Sequence, residues 1–103
     1  MTTDAPRHPR HDLDEQLNAP VRLSLLALLN QLEDAEFSTV RDALNVSDSV
    51  LSKQVTQLET AGYVAVTKGY VGKRPRTWLR STALGAAALN RHLAALRAVI
   101  GEL

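Results

Sequence analysis

The sequence predicts a mainly α-helical domain that carries one small β-hairpin. The chain has 103 residues, enough for a single domain. Its hydrophobic residues, 45% of the total, are dominated by Leu and Ala, which favour helices. Hydrophobic residues recur every three or four positions in the first half and again near the end. Between these regions, residues 63–80 are rich in strand-forming residues around a cluster of Gly, Pro and Arg.

The first region with helical spacing follows a polar start. Residues 1–11 contain two prolines and little that could be buried, so we expect a disordered tail and a domain over residues 12–103. Leu13 and Leu17 begin the helical spacing, and Pro20 suits the first turn of the main helix. Leucines cover much of the circumference of this helix, which predicts that it is central and packed on several sides.

Two shorter helices are predicted next, joined by a tight turn. Ser38 or Thr39 is expected to cap a helix that ends before Asn45, a residue suited to left-handed backbone. Ser47 would then cap a helix over residues 48–61. This pair of helices is a candidate helix-turn-helix.

The strand-forming region predicts a β-hairpin with a long basic tip. The strands are expected at residues 63–67 and 77–80, on either side of a loop over residues 68–76. Ser81 or Thr82 is then expected to cap a final helix over residues 82–103. The final helix carries an apolar stripe formed by Leu89, Leu93, Leu96, Ile100 and Leu103.

The distribution of charge along the chain indicates a polyanionic partner. The formal net charge is only +1. However, residues 1–59 hold 5 basic and 10 acidic side chains, whereas residues 60–103 hold 7 basic and 1 acidic. Charge asymmetry between the two parts of a chain is one of the few composition signals that points to nucleic acid.

The helix predicted over residues 48–61 has a polar face that could bind such a partner. Leu51, Val55 and Leu58 share one face, which we expect to lie on the core. The opposite face holds hydroxyl, amide and cationic groups, which bond base edges and phosphates, although an ordinary solvated helix face looks the same. The side chains concerned are Ser49, Ser52, Lys53, Thr56, Gln57 and Thr60.

The hairpin adds a group of cations without acidic neighbours. No Asp or Glu occurs between Thr60 and Gly101, so local ion pairs do not explain these cations. Cations of this kind neutralise phosphates and release counterions. The alternatives are a loop kept soluble by its charge, or a partner for the acidic first half of the chain. The cations are Lys68, Lys73, Arg74, Arg76 and Arg80.

Several other classes of protein are not supported by the sequence. The chain has no cysteine, which excludes a disulfide scaffold and thiol catalysis and favours the cytoplasm. We find no membrane span, signal peptide, catalytic constellation or cofactor motif, and we expect neither enzyme activity nor a bound cofactor. His8 and His11 lack further metal ligands, and His92 is expected at the edge of an interface.

The predicted order of elements and two sequence motifs carry a resemblance to a known family. The stretch SDSVLSKQVTQLETAGYV runs directly into VTKGYVGKRPRTWLRST. From Leu13 to Ala98, the chain resembles the compact MarR/ArsR-like group of winged-helix transcriptional regulators. Typical MarR proteins are longer than this chain, and metal-sensing ArsR proteins use Cys ligands that it lacks.

The resemblance implies a winged helix-turn-helix that binds double-stranded DNA. The helix over residues 48–61 would lie in the major groove, where Ser49, Ser52, Lys53, Thr56 and Gln57 are the candidates for reading bases. The hairpin would be the wing, with Lys68, Lys73, Arg74 and Arg76 on phosphates or in the minor groove. Trp78 is expected to pack the hairpin onto the body, on the face opposite Arg76 and Arg80.

The resemblance also favours a symmetric homodimer. The apolar stripe of the last helix offers a surface for it, flanked by the opening helix, unless the stripe folds back onto the core of its own chain. The candidate dimerisation residues are Leu13, Leu17, Leu89, Leu93, Leu96 and Ile100.

These observations lead to the hypothesis of a dimeric, sequence-specific transcriptional repressor that binds a palindromic operator. The alternative is a winged helix used as a protein-interaction module that docks an acidic partner. A small-molecule effector is compatible with the first hypothesis, and the sequence does not identify one.

Overall fold

A computed structural model describes residues 7–101 of the chain. It confirms a mainly α-helical fold with a small antiparallel sheet in the order β1-β3-β2. Two short 3-10 turns precede the first α-helix, so Leu13 and Leu17 do not lie on a continuous helix with it. The elements are the 3-10 turns Pro9–Asp12 and Glu15–Leu17, α1 (Pro20–Gln31), β1 (Ala35–Glu36), α2 (Phe37–Leu44), α3 (Asp48–Thr60), β2 (Val64–Val71), β3 (Arg74–Ser81) and α4 (Ala83–Val99).

The core is built around α1. Leu25, Leu26 and Leu29 of this helix are fully buried, and α1 contacts α2, α3, β3, α4 and the second 3-10 turn. The prediction of a central helix packed on several sides is therefore confirmed. The residues buried against it form one cluster, which includes Leu17, Val40, Leu51, Val55, Leu58, Val64, Leu79 and Leu89.

The turn between α2 and α3 has the predicted local structure. Asn45 adopts left-handed backbone with φ of 55°, and the Ser47 hydroxyl accepts a hydrogen bond from the Val50 N–H at 3.2 Å. Arg41 braces the turn, because its guanidinium contacts the carboxylates of Asp42 and Asp48 at 2.9 Å each. The two carboxylates raise the pKa of Arg41, and the hydrogen bond to Asp42 is the largest cause.

The start of α2 differs from the prediction. Neither Ser38 nor Thr39 caps the helix, which begins at Phe37 with Glu36 as its N-cap residue. The reason is that Ala35 and Glu36 are extended and pair with Leu79 and Trp78 of β3 as a third strand. A strand of two residues has no periodicity in the sequence, so the pattern alone could not indicate it.

The hairpin is longer and tighter than predicted. The loop expected over residues 68–76 is wrong, because the ladder between β2 and β3 continues to the pair Val71 and Arg74. Only Gly72 and Lys73 form the turn. Gly72 has a φ of 63°, and a type II′ hairpin turn requires a positive φ at the first of its two central residues. The strands therefore extend the hairpin as a ribbon away from the domain.

The N-terminal segment is also more ordered than predicted. Residues 1–6 of the expected tail lie outside the described residues, but residues 9–12 form a 3-10 turn that contacts α4. The Asp14 N–H donates to Nδ1 of His92 at 2.9 Å, and the Tyr63 hydroxyl donates to the Asp14 carboxylate. The prediction of a disordered tail is thus wrong for residues 9–11, because they belong to a 3-10 turn that packs on α4.

His92 is not at an interface edge, as expected, but inside the domain. Its side chain is 1% exposed, and its Nδ1 atom must be unprotonated to accept the Asp14 N–H. Burial lowers the pKa of His92 below its usual value, while the nearby Asp14 carboxylate opposes this effect. The neutral imidazole is therefore the form that fits the fold.

The start of α4 lies tightly against Tyr63, the residue directly before β2. Thr82 caps α4 by accepting a hydrogen bond from the Gly85 N–H at 3.0 Å. A side-chain Cβ at Gly85 would lie 2.2 Å from the carbonyl oxygen of Tyr63. Only glycine allows this close approach, which fixes where α4 leaves the sheet.

We predict that stability falls in mild acid because of His92. The unfolded chain has the usual histidine pKa of about 6.5, whereas the pKa of His92 in the fold is lower. The unfolded state therefore binds the proton first, and the stability that the neutral ring provides is lost as the pH falls below about 6.5. The urea midpoint should thus drop between about pH 7.5 and pH 5.

The variant His92→Asn keeps an acceptor in place of Nδ1 but does not titrate. It should cost roughly 1–3 kcal/mol at neutral pH through lost packing, and it should show a flatter pH profile than the wild type. His8→Asn is the matched control, because His8 is exposed, and it should keep the wild-type profile. Equal profiles for His92→Asn and the wild type would contradict the assignment.

Candidate nucleic-acid interface

The helix α3 presents its polar face to solvent. Leu51, Val55 and Leu58 anchor the opposite face in the core, as the spacing predicts. Among the candidates for reading bases, four side chains are exposed and one is half-buried. The exposed side chains are Ser49, Ser52, Lys53 and Thr56, and the half-buried one is Gln57.

The hydroxyl groups on this face are not equally available. Thr56 donates its hydroxyl proton to the Ser52 carbonyl at 2.9 Å, and Ser49 shares a hydrogen bond with Ser47 at 3.2 Å. In the part of the chain that the structure describes, the side chains of Ser52 and Lys53 have no hydrogen-bond partner. These two side chains therefore have donors free for a ligand.

An open groove of about 320 Å³ separates α3 from the hairpin. Phe37, Val55, Val66 and Leu79 are among the residues that line it, and Glu59 of α3 contributes a carboxylate. Glu59 was not among the residues predicted for this site, although its position seven residues after Ser52 places it on the same side of the helix. The other lining residues are Ser52, Thr56, Lys68 and Thr77.

The hairpin cations lie on two different faces. Lys68 pairs with Thr77 and lines the groove beside α3. Arg74, Arg76 and Arg80 alternate along β3 and lie on the other face, because residues two apart on a strand share a side. Lys73 lies in the turn between the faces. The structure therefore brings the four candidate cations of the hairpin to one ribbon but not to one surface.

Arg76 is paired, which the sequence did not indicate. Its Nε atom lies 2.5 Å from a carboxylate oxygen of Glu36, because the pairing of β1 with β3 brings Glu36 beside it. The expectation that all hairpin cations lack acidic partners is wrong for this residue. Among residues 7–101, no ion pair involves Lys68, Lys73 or Arg74.

Trp78 lies on the hairpin face that also carries Arg76 and Arg80. The expectation that it faces the body is wrong, because residues 76, 78 and 80 are two apart and share one side of β3. Its ring packs across the hairpin on Gly69, where an added Cβ would lie 3.2 Å from the ring. Trp78 therefore stiffens the ribbon itself. Tyr70, on the groove side near the tip, is 73% exposed.

The candidate dimerisation residues divide into a buried and an exposed group. Leu17 and Leu89 are 1% and 4% exposed and belong to the core of the single chain, so their assignment to a dimer surface is corrected. Leu13, Leu93 and Leu96 are half-buried. Ile100 is 71% exposed, and the neighbouring Val99 is 39% exposed.

The buried face of α4 continues beyond the last residue that the domain covers fully. This face includes Gly85, Ala88, His92 and Ala95, and Val99 extends it by one further turn. At this end the described residues leave Val99 39% exposed and Ile100 71% exposed. The described residues thus leave an apolar helix end exposed to solvent.

Two absences concern residues 7–101, the part of the chain that the structure describes. No helix there is both long and apolar enough to cross a bilayer. No group of three or more potential metal ligands was found in the same residues.

Comparisons with known proteins agree with this architecture. A family model described as a winged helix DNA-binding domain matches residues 21–100. An uncharacterized protein of Methanocaldococcus jannaschii is 33% identical over 76 residues, which are 74% of this chain and 83% of that protein.

Solved structures share the fold. The transcriptional regulator homologue of Pyrococcus horikoshii OT3 has a TM-score of 0.78 at 32% identity, over 84% of this chain and 86% of that chain. The M. tuberculosis transcriptional regulator MOSR, solved in complex with DNA, has a TM-score of 0.66 at 21% identity, over 91% of this chain and 69% of that chain. The zinc-responsive MarR family member ZitR of Lactococcus lactis has a TM-score of 0.60 at 14% identity, over 79% of this chain and 55% of that chain. The chain therefore belongs to the winged-helix DNA-binding domain family, and it shares its fold with these transcriptional regulators.

Proposed function

We propose that this protein is a dimeric transcriptional repressor that binds a palindromic DNA operator. The observation that carries the proposal is that one domain presents two neighbouring surfaces suited to DNA, the polar face of α3 and the basic hairpin. The exposed polar face of α3 lies beside a hairpin on which Lys68, Lys73 and Arg74 have no carboxylate partner among the described residues. The fold shared with MOSR, which was solved with DNA, supports the same partner class for this chain.

In this proposal α3 enters the major groove. Ser52 and Lys53 have free donors, and Lys53 suits the O6 and N7 acceptors of guanine. Ser49, Thr56 and Gln57 surround them and offer acceptors or amide groups. Asp48 at the start of α3 does not repel the phosphates strongly, because Arg41 neutralises it.

The hairpin would act as the wing along the neighbouring minor groove. Lys73 and Arg74 lie at its tip and Lys68 on its groove side, so the three cations reach phosphates from different directions. Arg76 has another role, because its ion pair with Glu36 links the wing to β1. Arg76 is therefore not among the DNA contacts in this proposal.

The dimer would form through the exposed end of α4. Val99 and Ile100, together with the half-buried Leu93, Leu96 and Leu13, provide an apolar surface that a second copy could cover. A two-fold axis there would present two copies of α3 to half-sites about one helical turn apart. Occupancy of such a site would block a promoter, which is the basis of the repressor assignment.

Selection of bound fragments from a random duplex library tests the whole proposal. A recovered palindrome would support sequence-specific binding and the two-fold dimer together. Recovery of no duplex at moderate salt would contradict DNA binding and would favour a protein-interaction module instead.

We predict a steep salt dependence of operator binding. Three or four cations per subunit give a slope of log affinity against log salt of about −5 to −7 for the dimer. Arg74→Ala should weaken binding to operator and random DNA alike and reduce the slope by about 2, because two phosphate contacts are lost in the dimer.

Lys53→Ala should instead reduce the discrimination between operator and random DNA by about 1–3 kcal/mol, because a base contact is lost.

Fluorescence anisotropy titrations over a series of salt concentrations measure both effects. Arg80→Ala is the matched control, because Arg80 lies on the same strand and face as Arg74 but at the body end of the hairpin. It should leave affinity and slope unchanged. A flat salt dependence, or a uniform loss for Lys53→Ala, would refute the assigned roles.

We predict that Ile100→Glu converts a dimer into a monomer. A carboxylate at this exposed apolar position would have to be buried without a partner in the dimer. Sedimentation at micromolar concentration should show twice the chain mass of 11.2 kDa for the wild type and a single chain mass for the variant. Ala94→Glu, on the exposed face of the same helix, should remain dimeric. A wild-type protein sedimenting as one chain would contradict the dimer.

A further inference from the structure

Arg22 of α1 connects the N-terminal segment to the helix α3. Its Nε atom donates to the Gln16 carbonyl at 2.7 Å, and its Nη1 atom donates to Oε1 of Gln54 at 2.8 Å. Arg22 and Gln54 are both half-buried. Within residues 7–101 no carboxylate forms an ion pair with Arg22, so neutral oxygens from two separate elements hold this cation.

The contact lies on a specific side of α3. Gln54 is on the flank of the helix opposite Ser52 and Glu59, which line the groove beside the hairpin. The hairpin thus lies across the open groove from one flank of α3, and Arg22 contacts the other flank. Because arginine has no acceptor, the Gln54 atom that faces it must be the carbonyl oxygen.

The bonds continue from Arg22 to α4. The Gln16 N–H donates to Oδ1 of Asp14 at 2.9 Å, and the Asp14 N–H donates to Nδ1 of His92 at 2.9 Å. Leu17, which is 1% exposed, anchors the same segment in the core. A continuous series of hydrogen bonds therefore joins α4, which carries the proposed dimer surface, to the helix proposed to read DNA.

The geometry of the guanidinium explains why this position holds arginine. The planar group presents donors at fixed angles, so one side chain bonds two acceptors in different directions. The donors of a lysine all radiate from one nitrogen atom, so a lysine lacks the separate, fixed donor nitrogens that Arg22 directs to its two acceptors. The bridge fixes the direction of α3 relative to the N-terminal segment more firmly than either bond alone.

We propose that Arg22 is a positioning residue for DNA binding, which sets the angle of α3 relative to α4 and thereby the half-site spacing that the dimer accepts. This inference rests on the proposed function. In a two-fold dimer, the direction of each α3 decides the distance between the two reading surfaces. A loosened α3 would still bind one half-site, but it would tolerate operators of the wrong spacing.

A double-mutant cycle on operators of different spacing tests the proposal. The wild type should lose about 30-fold or more in affinity when one base pair is inserted between half-sites, and Arg22→Ala should lose less than about 5-fold. Gln54→Ala should show the same tolerance, and the double variant should add no more than about 2-fold, because both changes break one bridge. Arg22→Lys should not restore the wild-type spacing preference.

The controls separate positioning from folding and from charge. Arg10→Ala removes an exposed cation from the N-terminal segment and should keep the wild-type spacing preference. Circular dichroism melts report whether each variant is folded, and Gln54→Ala tests the bridge independently if Arg22→Ala does not fold.

The possible results separate the proposed function from the positioning role of Arg22. A wild type that binds no duplex would overturn the proposed function, and the inference with it. A wild type that binds but is indifferent to spacing, or variants that keep its spacing preference, would overturn the inference alone. Additive losses in the double variant would also overturn it, because they would mean that the two side chains act separately.

Discussion

The burial of one helix, α1, sets the positions of the helices and of the strand β3 that pack on it. Leu25, Leu26 and Leu29 are fully buried, and each such side chain contributes roughly 1.5–3 kcal/mol relative to an exposed one. The helix-turn-helix, the sheet and α4 all rest on this helix. A domain of this size holds one hydrophobic core. The helix α3 and the hairpin therefore pack on the same core and keep a fixed orientation relative to each other.

Local signals in the sequence predicted much of this fold. Ser47, Asn45 and Thr82 act on their immediate neighbours, so the boundaries that they set were correct. The strand β1 was missed because its partners in β3 are far away in the chain. His92 was misplaced for a similar reason, since only the folded chain brings Asp14 to its ring.

The candidate site was predictable to different degrees on the helix and on the hairpin. The exposed face of α3 follows from the positions of Leu51, Val55 and Leu58, because helical periodicity fixes the opposite side. The sequence predicts a loop over residues 68–76, to which no alternation applies, so it assigns no faces to most of the cations there. Trp78 was placed on the wrong face although it lies two residues from Arg80 within the predicted strand. Once the turn contains only Gly72 and Lys73, alternation assigns each cation to a face. Arg22 could not be found from the sequence, because both of its acceptors lie in other elements.

The packing of Trp78 on Gly69 gives the protein a built-in optical reporter. Trp78 is the single tryptophan of the chain, and it lies half-buried on the hairpin rather than in the core. Indole emission depends on the polarity around the ring, so emission excited at wavelengths that only tryptophan absorbs reports on the hairpin around Trp78. Changes in the wing can therefore be followed in unlabelled protein, separately from the unfolding of the core, which circular dichroism records.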